Sequence, residues 1–181
     1  SVATKDADDE QYSLGADFKV TFEGEEVKAE KDEDVATILY SHRSKLYHFI
    51  KEDNYGDEVR TNYWKERGLG DIKIMQDKKT NTCRILMRQE KTLKPVLNCV
   101  LSEEVELAPN TSVKSWVFNC HDFSDGEVNL VQCAAKFKTQ EIANEFRDAL
   151  NNAKVLHAAA VAANASGDAS EDASGDASGE G

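Results

Sequence analysis

Residues 64–75 read WKERGLGDIKIM. A tryptophan, three charged side chains and two glycines stand directly before an alternating apolar run. Such a stretch could form an active-site loop, a phosphate cradle or a docking surface. A phosphate cradle aims backbone N–H groups from the N-terminus of a helix. Here Gly68-Leu69-Gly70 precedes the strand pattern of DIKIM instead. No G-x-S-x-G elbow, P-loop lysine or dinucleotide fingerprint occurs in the chain. His42, His48, His121 and His157 are scattered, and Cys83, Cys99, Cys120 and Cys133 form no C-x-x-C pair. That spacing predicts no structural zinc site. A Cys–His nucleophile pair that meets only in space stays open as an alternative. The chemistry to expect is recognition rather than catalysis.

The candidate recognition residues are basic and aromatic. In TCRILMR (82–88), Arg84 and Arg88 project to one face of a strand, about 13 Å apart at the usual rise. Lys91 and Lys94 follow at once, and Trp64, Lys65 and Arg67 precede the neighbouring strand. Guanidinium groups beside an exposed tryptophan are a common hot-spot composition. The alternative is a core tryptophan with charges that merely solvate the rim. The formal net charge of −12 is unevenly spread: −8 over 1–40, +5 over 41–98, −4 over 99–164 and −5 over 165–181. A basic middle between acidic flanks predicts a positive patch for an anionic partner, or one that the chain's own tails cover. Mixed charge on solvated faces is the bland reading. The acidic excess opposes binding to nucleic acid.

Elements must position these groups. The first 15 residues are polar and aperiodic, and the last 17 repeat ASGD, ASED, ASGD, ASGE. Neither segment has much apolar surface to bury, so both are expected to be disordered or flexible. Between them the period is mostly two. Ile72 and Ile74 oppose Lys73 and Met75; Cys83, Ile85 and Met87 oppose Arg84, Leu86 and Arg88; Val131, Cys133, Ala135 and Phe137 share a face. Turn signals separate the runs, predicting an all-β sandwich or barrel. From Thr139, a plausible N-cap, apolar residues recur at Ile142, Phe146, Ala149, Leu150 and Ala153. That is one amphipathic helix, which 154–163 could extend. No secretory h-region or membrane-length apolar run is present, predicting a soluble intracellular protein with reduced thiols.

WKERGLGD resembles the signature of the Ran-binding domain family. SHRSKLYHF (41–49), CRILMRQEKTLKPVLN (83–98), SWVFNCHDF (115–123) and KFKTQEIANEFRDAL (136–150) resemble further segments of that family in the same order. The resemblance implies a pleckstrin-homology-like fold: mainly β, a seven-stranded bent sandwich or barrel capped by a C-terminal α-helix. It divides the chain into a disordered acidic N-terminus (1–15), a Ran-binding domain (16–157) with an acidic arm (16–34), and a flexible acidic Ala/Ser/Gly tail (158–181).

It also implies a partner, the small GTPase Ran in its GTP state. In the family, Ran's C-terminal segment leaves the GTPase body and wraps the domain. Trp64, Lys65 and Arg67 would contact that segment. Arg84, Arg88, Lys91 and Lys94, with Lys73, would meet its acidic end, and Asn98 would bond backbone there. Glu30, Asp32, Glu33 and Asp34 would belong to the arm that reaches back over Ran. Gly68 and Gly70 would make the turn into the strand, and Glu66 and Asp71 would orient Lys65 or Arg67. The Ran GTPase-activating protein and importin/exportin receptors are implied as indirect partners, with no nucleic acid and no membrane. No cofactor is implied, since the partner would hold GTP and Mg. A cytoplasmic location is implied, extending to the nucleus or nuclear pore. The stretch 51–63 is longer than the family's usual link, predicting a larger loop beside Trp64. Pro95 predicts an edge strand or bulge. The competing module is a pleckstrin-like binder of phosphoinositide or a proline-rich peptide, which would need a basic loop at the open barrel end.

Overall fold

The computed structural model describes residues 19–22, 25–28 and 32–172. The expected disordered segment 1–15 and Glu30 lie outside them. A two-stranded ribbon, β1 (Lys19–Phe22) and β2 (Glu25–Lys28), is followed by a one-turn helix, α1 (Asp32–Val35). The body is an antiparallel sheet of seven strands: β3 (Ala36–Tyr55), β4 (Glu58–Asp77), β5 (Cys83–Arg88), β6 (Pro95–Val100), β7 (Ala108–Pro109), β8 (Ser115–Asp122) and β9 (Asn129–Lys136). Their order across the sheet is β6-β5-β4-β3-β9-β8-β7. A 33-residue helix, α2 (Gln140–Asp172), ends the described chain.

Alternation sets the faces. Ile72, Ile74, Cys83, Ile85 and Met87 are buried with Leu97, Phe118, Cys133 and Ala135 in one core. The helix covers that core with Ala143, Phe146, Leu150 and Ala153, and His157 and Ala160 continue the buried stripe. Phe146 packs on Phe137 and Tyr40, with ring centroids 5.1 and 5.7 Å apart. The N-terminus is capped as its sequence predicts: Ile142 N donates to Thr139 Oγ1 at 3.2 Å. Trp116 Nε1 donates to Ala143 O at 2.7 Å, which fixes the first helical turn on β8.

Two bulges decide which side chains reach the core. Leu39 is an extra residue in β3, between the pairs Ile38↔Met75 and Tyr40↔Ile74. It moves the even-numbered residues from the outer face, where Ile38 packs on Ala36, Met75 and Leu86, to the inner face, where Tyr40 meets Phe146. Arg67 is an extra residue in β4, between Leu46↔Gly68 and Tyr47↔Glu66.

The sheet folds back on itself without closing. Phe123 N, just past β8, donates to Asn98 O on the edge strand β6 at 2.8 Å. Asp122, 4% exposed, accepts Asn98 N at 2.9 Å and Ser124 N at 3.0 Å through Oδ1, and Ser124 Oγ at 2.7 Å through Oδ2. Pro95 opens the edge strand at a register shift opposite Arg88, where its missing N–H costs nothing.

Three local expectations are corrected. Residues 51–63 are not a loop: β3 and β4 continue as a ribbon to a two-residue turn at Gly56-Asp57, with Gly56 at φ 63. Gly68 and Gly70 do not form a turn but lie within β4, paired with Leu46 and Ser44. Residues 154–163 extend α2, as their alanine content allows, and the helix then runs on to Asp172, into the segment expected to be flexible.

Candidate protein-binding site

Trp64 lies directly opposite Phe49 across β3 and β4, and the two rings meet edge to face at 5.2 Å. By simple alternation Trp64 would share a face with Gly68, Gly70 and the buried Ile72. The extra residue Arg67 reverses that parity. It sets Trp64 on the outer face with Phe49 and Tyr47, the face to which Lys73 and Leu69 also belong. Trp64 is half-buried and stands apart from the main core. It is an aromatic ledge.

Lys65 is exposed, and its Nζ lies 3.2 Å from Asp53 Oδ2, which also accepts the Tyr63 hydroxyl at 2.8 Å. Hydrogen bonds from Tyr63 and Lys65 hold the Asp53 carboxyl below its ordinary range. Arg67 points away from this ledge. Its Nη2 donates to Asp125 Oδ1 at 2.9 Å and Ser124 Oγ at 3.2 Å, and its Nε donates to Val96 O at 3.3 Å. Arg67 therefore ties the bulge to β6 and to the turn after β8. Glu66 pairs with Lys45 at 3.8 Å. The partners of Lys65 and Arg67 are thus Asp53 and Asp125, where the sequence predicted Glu66 and Asp71.

The glycines are needed for close approach. A Cβ on Gly70 would overlap the Arg88 carbonyl, and one on Gly68 would come within 2.7 Å of Gln89 Oε1. The connection from β5 to β6 is pressed onto this part of β4: Glu90 N donates to Leu69 O at 3.0 Å, and Leu69 N donates to Gln89 Oε1 at 3.0 Å. Glu90 also pairs with Arg43 at 2.7 Å. Lys91 and Lys94 ride on this connection as exposed side chains.

Lys73, Arg84 and Arg88 stand on the outer face of β4 and β5. Arg84 Nη1 donates to Asn98 Oδ1 at 3.5 Å, and the two lie in an open groove of about 980 Å³ with Val100, His121 and Phe123. The backbone of Asn98 is committed to Asp122 and Phe123, leaving its amide for the face. Lys73 and Arg88 converge on Asp32: Lys73 Nζ lies 3.3 Å from Oδ2, and Arg88 donates from Nη2 to Oδ1 at 3.1 Å and from Nε to Oδ2 at 3.3 Å. Burial pushes the Asp32 carboxyl up, but Arg88 and Lys73 together outweigh it and hold it below its usual value. Glu33 and Asp34 are exposed, and Glu33 O accepts Lys78 Nζ at 2.8 Å.

The predicted residues therefore fall into three groups. Trp64 forms the ledge with Phe49 and Tyr47, while Lys65, the next residue of β4 and so on the opposite side of the strand, pairs with Asp53. Lys73, Arg84, Arg88 and Asn98 form a cationic outer face beside the loop that carries Lys91 and Lys94. Arg67 is a structural tie. Lys73, Arg84 and Arg88 lie along strands, whereas Lys91 and Lys94 lie on the β5–β6 connection. Sequence reasoning missed Asp122 and Asp125; the HD pair at 121–122 and the turn signal at 124–126 were their only marks. The four cysteines are free and buried. Hydrogen bonding to Cys120, then burial, pushes the Cys99 and Cys133 thiols up. Among the described residues, no three His, Cys, Asp or Glu side chains are arranged to hold a metal ion.

The fold and this face define a pleckstrin-homology-like domain of the Ran-binding type. The family model of the RanBP1 domain matches residues 26–156, and the chain belongs to that family. Over 124 residues it is 41% identical to the E3 SUMO-protein ligase RanBP2 of Drosophila melanogaster, covering 68% of this chain and 4% of that protein. Over 146 residues it is 36% identical to RanBP2 of Homo sapiens, covering 77% of this chain and again 4% of the relative. The chain thus spans only a small part of these relatives. The Ran-binding domain of Nup2 from Ashbya gossypii superimposes with a TM-score of 0.52 at 19% identity, covering 67% of this chain and 97% of that one. That likeness concerns the fold alone.

Proposed function

We propose that this chain is a non-catalytic reader of Ran's nucleotide state. It binds Ran·GTP, holding the released C-terminal segment against the Trp64 ledge and the cationic outer face. The observation that carries this reading is membership of the RanBP1-domain family across the whole sheet, residues 26–156. The cations at Lys73, Arg84 and Arg88 support it, because they place positive side chains on one face of β4 and β5 where an acidic segment could exchange with Asp32.

The mechanism is differential affinity. Ran's segment is free in one nucleotide state and docked on its own GTPase body in the other. A domain that grips only the free segment discriminates the two states. By linkage the grip stabilises the GTP form and slows nucleotide loss. Co-stimulation of the Ran GTPase-activating protein and release of Ran·GTP from importin and exportin receptors follow if the same segment blocks those encounters. GTP and Mg stay with the partner. The place of action would be the cytoplasm, extending to the nuclear pore.

Capture of purified Ran on immobilised protein tests the reading. Tight retention of Ran·GTP with much weaker retention of Ran·GDP is expected. Equal retention of the two forms would overturn it.

A further inference from the structure

The best-formed carboxylate site on the cationic face is already filled, and the chain fills it from within. Arg88 presents a two-pronged fork to both oxygens of Asp32, and Lys73 closes on Oδ2. The Asp32 side chain is 12% exposed there, whereas Arg88 keeps 37% and Lys73 keeps 25% of their surface. A bidentate arginine with a lysine beside it recognises a carboxylate by shape as well as charge. Neither Arg84 nor Lys94 forms a salt bridge with another described residue, and Arg84 acts on the Asp77 carboxylate only through its charge.

The segment that delivers Asp32 is held independently of this contact. Ala36 packs with Met75, Leu86 and Ile38 on the outer face, and Lys78 N donates to Val35 O at 3.2 Å. Asp32 is the first residue upstream of that anchor to touch the cations, and α1 is only one turn long. Its carboxylate can therefore leave while Ala36 stays. The cations it would release remain partly solvated, so release leaves no buried unpaired charge.

We propose that Asp32 is an internal stand-in for a partner's carboxylate: the Lys73 and Arg88 fork is a carboxylate subsite that the acidic arm and an acidic partner segment occupy in turn. This rests on the proposed function for the identity of the partner, Ran·GTP with its acidic C-terminal end. The arm then lowers apparent affinity by the fraction of molecules whose fork is open. It also raises specificity. Only a segment that brings several carboxylates at once, to the fork and to Arg84 and Lys94 beside it, can displace a tethered single one.

The test compares the wild-type chain with Asp32→Asn, which keeps the shape and removes the charge. Asp32→Ala serves as a second variant, and thermal melting confirms that each is folded. Two probes are titrated by calorimetry: Ran·GTP, and a synthetic hexapeptide of aspartate and glutamate. The expected result is about three- to tenfold tighter binding of both probes by Asp32→Asn. It also includes no change for Ran·GTP trimmed of its acidic end. Equal or weaker binding of the hexapeptide by Asp32→Asn would overturn the competition and make Asp32 a residue that positions the cations. Failure of the wild-type chain to bind Ran·GTP would overturn the proposed function instead. The hexapeptide would still decide whether the fork is a contested subsite.

Discussion

His157 shows how one side chain links the helix to the sheet and to pH. Its Nδ1 accepts the Cys83 backbone N–H at 3.0 Å, so the ring must be neutral with its proton on Nε2. Burial lowers its pKa from the ordinary 6.5. The unfolded chain therefore takes up the proton first as pH falls. The contribution of neutral His157 is complete above about 6.5 and is lost progressively below it. His48, also depressed chiefly by burial, adds a slope of the same sign, and its Nε2 is buried without a hydrogen-bond partner. The urea midpoint should fall between about pH 7.5 and about pH 5.5. His157→Gln, which can still accept from Cys83, should flatten part of that fall. An unchanged slope in the variant would show that the ring's protonation state does not matter to the fold.

Among the elements, β4 carries the most constraints. One strand holds the ledge, the structural arginine, two glycines and a cation of the outer face. The glycines can be ranked by what they touch. At Gly70 the obstacle is backbone, the Arg88 carbonyl, which cannot rotate aside; at Gly68 it is the flexible end of Gln89 together with Val96. Gly70→Ala should cost about 3 kcal/mol in chemical denaturation, and Gly68→Ala about 1 kcal/mol. Equal costs would mean that the β5–β6 connection is softer than its hydrogen bonds to Leu69 imply. A strand with a G-x-G pair reads from sequence as a turn, because glycine's conformational freedom is its commonest use. Here the reason is space, and space is set by residues about twenty positions away.

At the scale of the whole molecule, charge is segregated and then partly brought together. The arm returns Asp32 to the basic middle that the sequence separates from it. The C-terminal helix takes a different course. Its farthest described tie to the sheet is Asn164 Nδ2 donating to Thr80 O at 3.1 Å. A chain ending at residue 164 keeps that tie and every helix residue that is buried among those described. Removing 165–181 should leave Ran·GTP affinity within about twofold at roughly 0.15 M salt, where charges more than a Debye length apart are largely screened. A larger change in either direction would give the repeat tail a part in binding. Strand alternation, the helix over 139–153, its Thr139 cap and the edge position of Pro95 were all legible in the sequence, because each follows from local periodicity or a local hydrogen bond.

The sequence by itself determined the mainly β class, the single capping helix, the basic middle and the family to which the chain belongs. Only the tertiary structure decided which face Trp64 takes. One inserted residue, Arg67, reverses the parity of β4, and a bulge leaves no mark in an alternating pattern until its partner strand is known. Tertiary structure also sorted the cations. Arg67 went to Asp125 and Ser124, Arg88 and Lys73 went to Asp32, and Arg84 went to Asn98. Composition fixes how many charges there are; ion pairing acts over a few ångströms, so the fold decides which of them remain for a partner.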